Sequence, residues 1–479
     1  MEDNSLKQKT VTGVIWKFFE RVGTEMVTFI VSLILARILS PSDYGVSAIV
    51  IVFISLLNVF VTSGYGTSLI QKKDADDNDF NTIFTFSGIL SIFLYIALFF
   101  SAPYIAKFYE KPILTALIRV MGLRLPISSY NAIQNAYVAK RMEFKKFFYA
   151  TLAGTIVSAV IGISMATTGC GVWALAGQYV SLMLVNTLVL NFIVPWKYKP
   201  YYSHKLAVPL IKYGSNVLLA TLMDTLYLEV RSLIIGKKYD TAALAYYNRG
   251  EQFPKLIALN IATTIDGTLM PAFCKIQDNI DALRNAFRRS IQVSTTIVVP
   301  LMIGMTIVAK PMVIAVLTEK WLEAVPYIQI YCISYMFNPL QSASNQVIKA
   351  LGKARLFLYL EIFKKSIFLI SLLFAVKYGP IYIALTAVFV MAVSVLVNMI
   401  IMRKLLNYSF KQQIIDVLPQ IILSVVMGIA IMPMKYVISQ SIILLMVQVI
   451  AGAIIYILLY FIFRRDIFNY IIGLVKKRN

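Results

Sequence analysis

Long apolar stretches, separated by short breaks of charged, glycine or proline residues, run along the whole chain of 479 residues. A helix that crosses a hydrocarbon layer about 30 Å thick needs roughly 20 predominantly apolar residues. Fourteen stretches reach that length, and each is predicted to be a transmembrane helix. They cover residues 13–37, 43–70, 81–106, 113–139, 147–168, 171–194, 207–235, 242–268, 286–308, 324–348, 356–376, 379–402, 414–434 and 438–463.

Composition favours an all-α integral membrane protein and excludes a soluble multidomain enzyme. Apolar residues make up 59% of the chain and charged residues 14%, whereas about a quarter of the residues in a soluble domain are charged. The net charge of +22 would suggest nucleic acid as the partner of a soluble chain. In a membrane protein this charge belongs to the loops, so no nucleic acid is expected.

The basic residues alternate from loop to loop. With the N-terminus in the cytoplasm, the loops on that side carry about three times as many Lys and Arg residues as the loops on the other side. Such a bias is typical of cytoplasmic loops. An even number of helices then places the N- and C-termini on the cytoplasmic side.

The two halves of the chain resemble each other. Residues 36–45 align with residues 236–245, and Pro126 aligns with Pro339. Each half holds six predicted helices, and an even number lets both halves enter the membrane from the same side, as parallel repeats do. The predicted segments are an N-terminal lobe at 1–205, a C-terminal lobe at 206–404, and two extra helices with a basic cytoplasmic tail at 405–479.

The last two predicted helices carry no charge between Val417 and Met434 or between Tyr436 and Phe463. Helices that are apolar on all sides are typical of buried or lipid-surrounded positions, which favours a lipid-facing scaffold pair. An apolar groove for a long lipid tail is the other interpretation. The sequence leaves both open.

Signals of catalysis and of metal binding are absent from the sequence. The Gly-Lys pairs at 236–237 and 352–353 lack the Ser or Thr that follows in a nucleotide-binding loop. Cys170, Cys274 and Cys332 have no metal-ligand spacing. We therefore predict neither an enzyme nor a cofactor or metal. An ion gradient or the membrane potential, with the ion undetermined, is expected to supply the energy.

Ionisable side chains inside the predicted helices are the candidate functional residues, because each is costly in lipid unless it faces a cavity or a partner. In the first helix they recur every three or four residues, which places them on one stripe. The fourth and tenth helices carry stripes of amides. The candidates are Lys17, Glu20, Arg21 and Glu25 in the first helix, Arg124 and Asn131 in the fourth, Asp224 and Arg231 in the seventh, Arg249 and Asp266 in the eighth, and Asn345 in the tenth.

Two interpretations of these residues stay open. In the first, they line a hydrated cavity between the two halves, where the cations and amides bind substrate and the carboxylates Glu20, Glu25, Asp224 and Asp266 couple transport to an ion. In the second, they form internal ion pairs that orient helices, such as Arg21 with Glu25.

Short motifs in a fixed order resemble the Wzx-type polysaccharide flippases. These flippases share the MOP exporter superfamily with the lipid II flippases and the MATE transporters. The motifs are LARILSPSDYG at 35–45, GYGTSLIQK at 64–72, YYNRG at 246–250, MPAF at 270–273, KW at 320–321 and ALGKA at 350–354.

The resemblance implies two six-helix lobes in a V around a central cavity, and alternating access between the membrane faces. It implies a polyprenyl-diphosphate-linked oligosaccharide as cargo, for a cell-surface polysaccharide such as O-antigen of lipopolysaccharide, teichuronic acid or exopolysaccharide. In relatives that move lipid diphosphates, arginines on the first and eighth helices line the cavity, and Arg21 and Arg249 match them.

The same resemblance implies a location and partners. The location is the bacterial cytoplasmic (inner) membrane. The expected partners are the lipid-linked saccharide and membrane lipid, with a polysaccharide polymerase and glycosyltransferases as further candidates, and the protein is expected to be a monomer.

A MATE-like exporter of organic cations is the alternative. Such a cargo favours an acidic cavity, so Arg21, Arg124 and Arg249 argue against it, while the near balance of intramembrane charges leaves it open. A membrane glycosyltransferase or polymerase would be expected to have a large outer loop with acidic residues, and the outer loops here are short.

The loop charges lead to a labelling prediction. In a cysteine-free background, single cysteines at Asn78, within 195–205 and at Arg478 should react with a membrane-impermeant thiol reagent only from the cytoplasmic side. Cysteines at Glu110 or Thr318 should react only from outside. The opposite pattern would reverse the predicted orientation.

Overall fold

The structure is a computed structural model that describes the backbone of residues 2–476 and the side chains of residues 16–17, 20–263, 267–469 and 473. Every regular element of the described backbone is a helix, and two of these are short 3-10 turns at Glu319–Ala324 and Met432–Tyr436. The α-helices are α1 (Glu2–Ile38), α2 (Pro41–Thr62), α3 (Tyr65–Gln71), α4 (Asp77–Phe108), α5 (Ile113–Gly122), α6 (Arg124–Lys140), α7 (Lys145–Thr167), α8 (Val172–Ile193), α9 (His204–Lys238), α10 (Thr241–Lys275), α11 (Ile280–Val316), α12 (Val325–Tyr335), α13 (Asn338–Ala350), α14 (Ala354–Ala375), α15 (Pro380–Leu406), α16 (Phe410–Ile431), α17 (Ser441–Phe463) and α18 (Arg465–Lys476).

Within the described chain, 11 helical stretches are long and apolar enough to cross a membrane, which confirms an all-α, multi-pass membrane protein. The first, tenth and eleventh predicted spans are also helical. The first is the charged helix α1, the tenth is divided into α12 and α13, and the eleventh, α14, carries Glu361, Lys364 and Lys365 near its middle. The count of fourteen transmembrane helices stays a prediction.

Helix boundaries follow the sequence repeat at the start of each half. The Ser40 hydroxyl accepts a hydrogen bond from the Asp43 N–H, and the Asp43 carboxylate accepts one from the Ser40 N–H. These reciprocal bonds form a capping box at the N-terminus of α2. Pro41 supplies its first helical residue. The end of α9 at Lys238 and the start of α10 at Thr241 lie 200 residues after the end of α1 and the start of α2, the offset at which the sequences align.

The fourth and tenth predicted helices are each interrupted. α5 gives way to α6 after Gly122, and α12 gives way to α13 after Tyr335. Pro126 and Pro339 follow these interruptions. A proline lacks the N–H that would bond four residues back, and its ring clashes with the carbonyl there. Each helix is therefore broken at this point, although Ile113–Lys140 remains one stretch that is long and apolar enough to cross a membrane.

A glycine separates α2 from α3 at a helix crossing. Gly64 has a φ of +86°, a conformation that residues with a Cβ rarely adopt. A Cβ on Gly64 would lie 2.1 Å from the carbonyl oxygen of Gly214 in α9. The two backbones thus approach directly, as small residues allow between membrane helices. The predicted span 43–70 lies within one membrane-crossing stretch, Pro41–Gln71, in which the helix ends at Thr62 and starts again at Tyr65.

By packing, the chain forms two compact units, Met1–Ala245 and Tyr246–Asn479. α9 belongs to the first unit because it packs against α2, α3 and α4. Leu210 of α9, for example, shares a core with Tyr65 of α3. The predicted boundary at residue 205 follows the sequence repeat instead. The predicted division therefore describes the repeat, whereas the division at residue 245 describes the packing of the helices.

The core of the first unit is rich in aromatic side chains. Trp196, in the segment after α8, is buried, and its ring centroid lies 5.7–6.5 Å from those of Phe80, Phe84, Tyr130 and Tyr137. Phe80 and Phe84 belong to α4, whereas Tyr130 and Tyr137 belong to α6. Aromatic packing therefore holds α6, which carries the predicted amide stripe, against α4.

In the second unit, α16 and α17 pack on α11. Leu423 and Met427 of α16 form a core cluster with Tyr456 of α17. Ile422 and Ile429 on the other side of α16 are exposed. The pair thus buries one face and presents an apolar surface on the other, as helices in contact with lipid do.

The crossing at Gly64 leads to a stability prediction. Gly64→Ala forces a methyl group against the α9 backbone at a positive φ, and we expect it to lower the free energy of unfolding by about 2 kcal/mol. The measurement is the unfolding temperature of the purified protein in detergent. Gly66→Ala is the control, because the neighbours of its Cβ would lie 3.6 Å away. Equal unfolding temperatures for the two variants would contradict the crossing.

Candidate functional site

Two members of the predicted charge stripe on α1 contact α7. The Lys17 Nζ lies 5.7 and 5.1 Å from the ring centroids of Phe144 and Phe147. The Glu20 Oε1 accepts a hydrogen bond of 3.3 Å from the Thr151 hydroxyl. Glu20 is therefore held against α7, whereas Lys17 lies over the two rings with its side chain exposed.

Arg21 and Glu25, one turn apart on α1, form the ion pair that the second interpretation predicted. The Arg21 Nε donates to the Glu25 Oε1 at 3.0 Å. Their side chains are 53% and 40% exposed, so the pair lies at a surface of the unit. An exposed pair contributes little to stability, and both groups remain accessible to a ligand.

Hydrogen bonds between polar side chains connect α6 to α1 through α8 and α7. Asn135 Nδ2 donates to Asn131 Oδ1 at 2.7 Å, and Asn131 Nδ2 donates to Asn186 Oδ1 at 2.8 Å. Asn186 Nδ2 donates to Thr151 Oγ1 at 3.3 Å, and Thr151 donates to Glu20. We call these five residues the amide chain. Every donor points toward the Glu20 carboxylate, so each bond polarises the next.

Asn131, a predicted substrate-binding residue, is thus a member of the amide chain. It is 5% exposed, and its amide oxygen and nitrogen are both engaged. The stripe on α6 fastens helices together, and contact of Asn131 with a substrate would require these bonds to open.

Arg124 lies at the start of α6, directly after the interruption of the fourth predicted helix. Its guanidinium carbon is 3.9 Å from the ring centroid of Tyr179 in α8, which is a cation–π contact. Glu229 of α9 lies close enough to act electrostatically on the same tyrosine. The cation–π contact therefore joins α6 to α8, and no sequence pattern singled out Tyr179.

In the second unit, Arg249 is buried beside Trp321. It is 5% exposed, its Nη1 donates to Gln252 Oε1 at 2.7 Å, and its guanidinium carbon lies 5.3 Å from the Trp321 ring centroid. Side chains of the same unit therefore hold the guanidinium. Binding of a substrate to Arg249 would require it to become exposed.

Glu251 links α10 to the interruption between α12 and α13. Its Oε1 accepts a hydrogen bond of 2.9 Å from the hydroxyl of Tyr335, the last residue of α12, and lies 3.6 Å from Lys255 Nζ. Glu251 was not among the predicted coupling residues. The signal that could have found it is a carboxylate one turn before a lysine in an apolar span.

The other candidates are described one by one. Asp224 is exposed and Arg231 is half-buried on α9, and both take part in interactions. Asn345 is half-buried on α13, with a buried amide oxygen that finds no hydrogen-bond partner within the described residues. The side chain of Asp266 lies outside the described residues.

A buried polar cluster in the second unit was not predicted. Arg288 donates to the two carboxylate oxygens of Asp416 at 2.6 and 3.0 Å, and Gln292 Nε2 donates to one of them at 2.7 Å. The Tyr408 hydroxyl donates to the other at 2.5 Å. Asp416 is 3% exposed. Burial raises the pKa of the Tyr408 phenol, and its hydrogen bond to Asp416 raises it further.

This cluster fastens α16 to α11, and sequence patterns could not show it because Arg288 and Asp416 lie 128 residues apart. Among the described residues, no group of three or more His, Cys, Asp and Glu side chains could hold a metal ion. The amide chain, the Arg124–Tyr179 contact and the Arg288–Asp416 cluster thus join helices through polar side chains.

The chain belongs to the polysaccharide biosynthesis protein family, whose model matches residues 34–326. It is 23% identical over 440 residues to the lipopolysaccharide biosynthesis protein WzxC of Escherichia coli (strain K12), covering 89% of each chain. It is 22% identical over 417 residues to the teichuronic acid biosynthesis protein TuaB of Bacillus subtilis (strain 168), covering 85% of this chain and 84% of that one. These matches confirm the predicted resemblance to the Wzx-type flippases.

Solved structures share the fold. The lipid II flippase MurJ, in an inward closed conformation, has a TM-score of 0.76 at 16% identity and covers 96% of this chain and 100% of that one. An inward-facing MATE family multidrug resistance transporter of the MOP superfamily has a TM-score of 0.62 at 16% identity, covering 81% and 96%. The protein therefore has the fold of the MOP superfamily.

The amide chain leads to a prediction about Thr151. Thr151→Val removes the hydroxyl that joins Asn186 to Glu20, and we expect a loss of about 1 kcal/mol in the free energy of unfolding, measured in detergent. Thr225→Val is the control, because that hydroxyl donates to the Thr221 carbonyl of its own helix. In the double variant Thr151→Val with Asn186→Ala, the loss of unfolding free energy should be smaller than the sum of the two single losses, since both changes interrupt the amide chain. Additive losses would contradict the coupling of these residues in the amide chain.

Proposed function

We propose that this protein moves a polyprenyl-diphosphate-linked oligosaccharide from the cytoplasmic to the outer leaflet of the bacterial cytoplasmic membrane, for the synthesis of a cell-surface polysaccharide. Membership of the polysaccharide biosynthesis family over residues 34–326 carries this proposal. The fold shared with a lipid II flippase supports it. The proposed mechanism is alternating access by two six-helix lobes of a fourteen-helix chain, with both termini in the cytoplasm.

The chemistry of the first unit suits such a cargo. A diphosphate needs cations that also donate hydrogen bonds, and a guanidinium does so in a planar fork. Arg21 offers an exposed guanidinium on α1. Sugar hydroxyls pair with amides and hydroxyls, which the amide chain supplies when it opens, and the prenyl tail can stay in the surrounding lipid.

The protein is proposed to be a secondary transporter rather than an enzyme. An ion gradient or the membrane potential, worth about 2.3 kcal/mol per charge per 100 mV, would drive the cycle. Glu20, Glu25, Asp224 and Asp266 are the proposed coupling carboxylates. A polysaccharide polymerase and glycosyltransferases are the proposed functional partners of a monomeric protein.

Export of organic cations is the second candidate, because MATE transporters share the fold. Proteoliposomes separate the two directly. A fluorescent saccharide on undecaprenyl diphosphate should become accessible at the opposite face when a gradient is imposed, whereas ethidium should not be transported. Ethidium transport without movement of the lipid-linked saccharide would overturn the proposal.

Arg21 is the residue to test in this assay. Arg21→Ala should lower the flipping rate about tenfold or more, because it removes charge-assisted hydrogen bonds worth roughly 1.5–3 kcal/mol. Arg21→Lys should recover part of the rate, since a point charge replaces the fork.

The double variant Arg21→Ala with Glu25→Ala is the control for a structural role. If Arg21 serves only to neutralise Glu25, removal of both charges restores the rate, because no unpaired charge remains. Restored flipping would therefore overturn substrate binding by Arg21.

A further inference from the structure

Aromatic side chains and a lysine join α1 to the start of α7 in the first unit. The ring centroids of Trp16 and Phe148 are 5.3 Å apart, and those of Trp16 and Tyr149 are 6.2 Å apart. The Lys145 Nζ lies 5.4 Å from the Trp16 ring and 5.7 Å from the Tyr149 ring. A lysine on α7 is thus placed over rings from both helices.

A second lysine comes from the other helix. Lys17, on α1, lies over Phe144 and Phe147 at the start of α7. The lysine–aromatic cluster therefore has one cation from each helix, and each cation faces two rings. It consists of Trp16, Lys17, Phe144, Lys145, Phe147 and Tyr149.

The two lysines of the cluster differ from their neighbour Lys146 in their ion pairing. Among the described side chains, no carboxylate forms an ion pair with Lys17 or Lys145, whereas the next residue, Lys146, pairs with Glu143 at 2.5 Å. Lys17 and Lys145 are both exposed. Aromatic faces attract a cation but leave its charge uncompensated, so the surface of the cluster carries two positive charges that an anion can neutralise.

The position of the cluster in the chain places it at the level of the lipid headgroups. Lys145 is the first residue of α7, and Lys17 lies four residues into the first predicted span. With the N-terminus in the cytoplasm, as proposed above, both lie at the cytoplasmic leaflet. Aromatic rings are favoured at this depth, and lysines there attract anionic headgroups.

We infer that the lysine–aromatic cluster binds the diphosphate group of the lipid-linked substrate in the cytoplasmic leaflet, before the substrate enters the transport path. This inference rests on the proposed function. Two cations on one cluster match a diphosphate better than the single charge of a phospholipid phosphodiester. Arg21, one turn further along α1 than Lys17 and also exposed, is the next cation along the same helix.

Binding is tested first, in nanodiscs of neutral phosphatidylcholine with undecaprenyl diphosphate as the probe. Lys17→Gln and Lys145→Gln should each weaken binding about fivefold, since a lysine near the membrane surface contributes about 1 kcal/mol. Lys146→Gln is the matched control, because that ammonium already has a carboxylate partner, and it should bind as the wild type does. Equal binding by all three variants would overturn the inference.

A second arm distinguishes the diphosphate from ordinary anionic lipid. Phosphatidylglycerol added to the same nanodiscs should displace the probe only at a large molar excess. Displacement at equal concentrations would identify a general site for anionic lipid and overturn the inference.

Transport kinetics separate a failure of the inference from a failure of the proposed function. In proteoliposomes, Lys17→Gln and Lys145→Gln should raise the half-saturating concentration of the lipid-linked saccharide about fivefold and leave the maximal rate unchanged. An unchanged half-saturating concentration in variants that flip normally overturns the cluster alone. A wild-type protein that flips no lipid-linked saccharide overturns the proposed function, whatever the binding result.

Discussion

A polar group inside a hydrocarbon layer has no water to bond to, and it must find its partners within the chain. This constraint accounts for one polar cluster in each unit. In the first unit, the amide chain runs from Asn135 to the carboxylate of Glu20 and joins four helices. In the second, Arg288 and two neutral donors surround Asp416. Each carboxylate is satisfied by donors from another helix, so each also fastens helices together.

Such contacts inside a unit have a consequence for transport. A unit whose helices are tied by hydrogen bonds and close backbone approaches, as at Gly64 and Gly214, resists internal rearrangement, since packed interiors transmit strain. Transporters that alternate access by rocking need such bodies. In the proposed transport cycle, the polar residues of the helices would therefore have two roles: the buried ones would stabilise a moving body, and the exposed ones would contact the cargo.

The length of the apolar stretches predicted the helical membrane fold well, because apolar length is a property of each segment alone. The interruptions after Gly122 and Tyr335 escaped prediction because the apolar length of a segment does not show where its helix breaks, although Pro126 and Pro339 follow the two breaks. Contacts between distant segments could not be predicted either, because nothing in the sequence near Asp416 indicates that Arg288 is its partner. The charge stripe on α1 was predicted as one face, yet Glu20 packs on α7 while Arg21 is exposed. Side chains three and four residues after Lys17 point about 100° apart around the helix axis, so they contact different neighbours.

The two interpretations of the intramembrane charges need not exclude each other. Arg21 is paired with Glu25 and both are exposed, so the guanidinium remains charged at little cost while no substrate is bound. In the proposed binding step, a diphosphate takes the place of the carboxylate, and the exchange of one anion for another keeps the guanidinium beside a negative charge. Arg249, buried against Gln252 and Trp321, would first have to leave its packed site. An ion pair at an accessible surface therefore suits a reversible binding step better than a buried cation does.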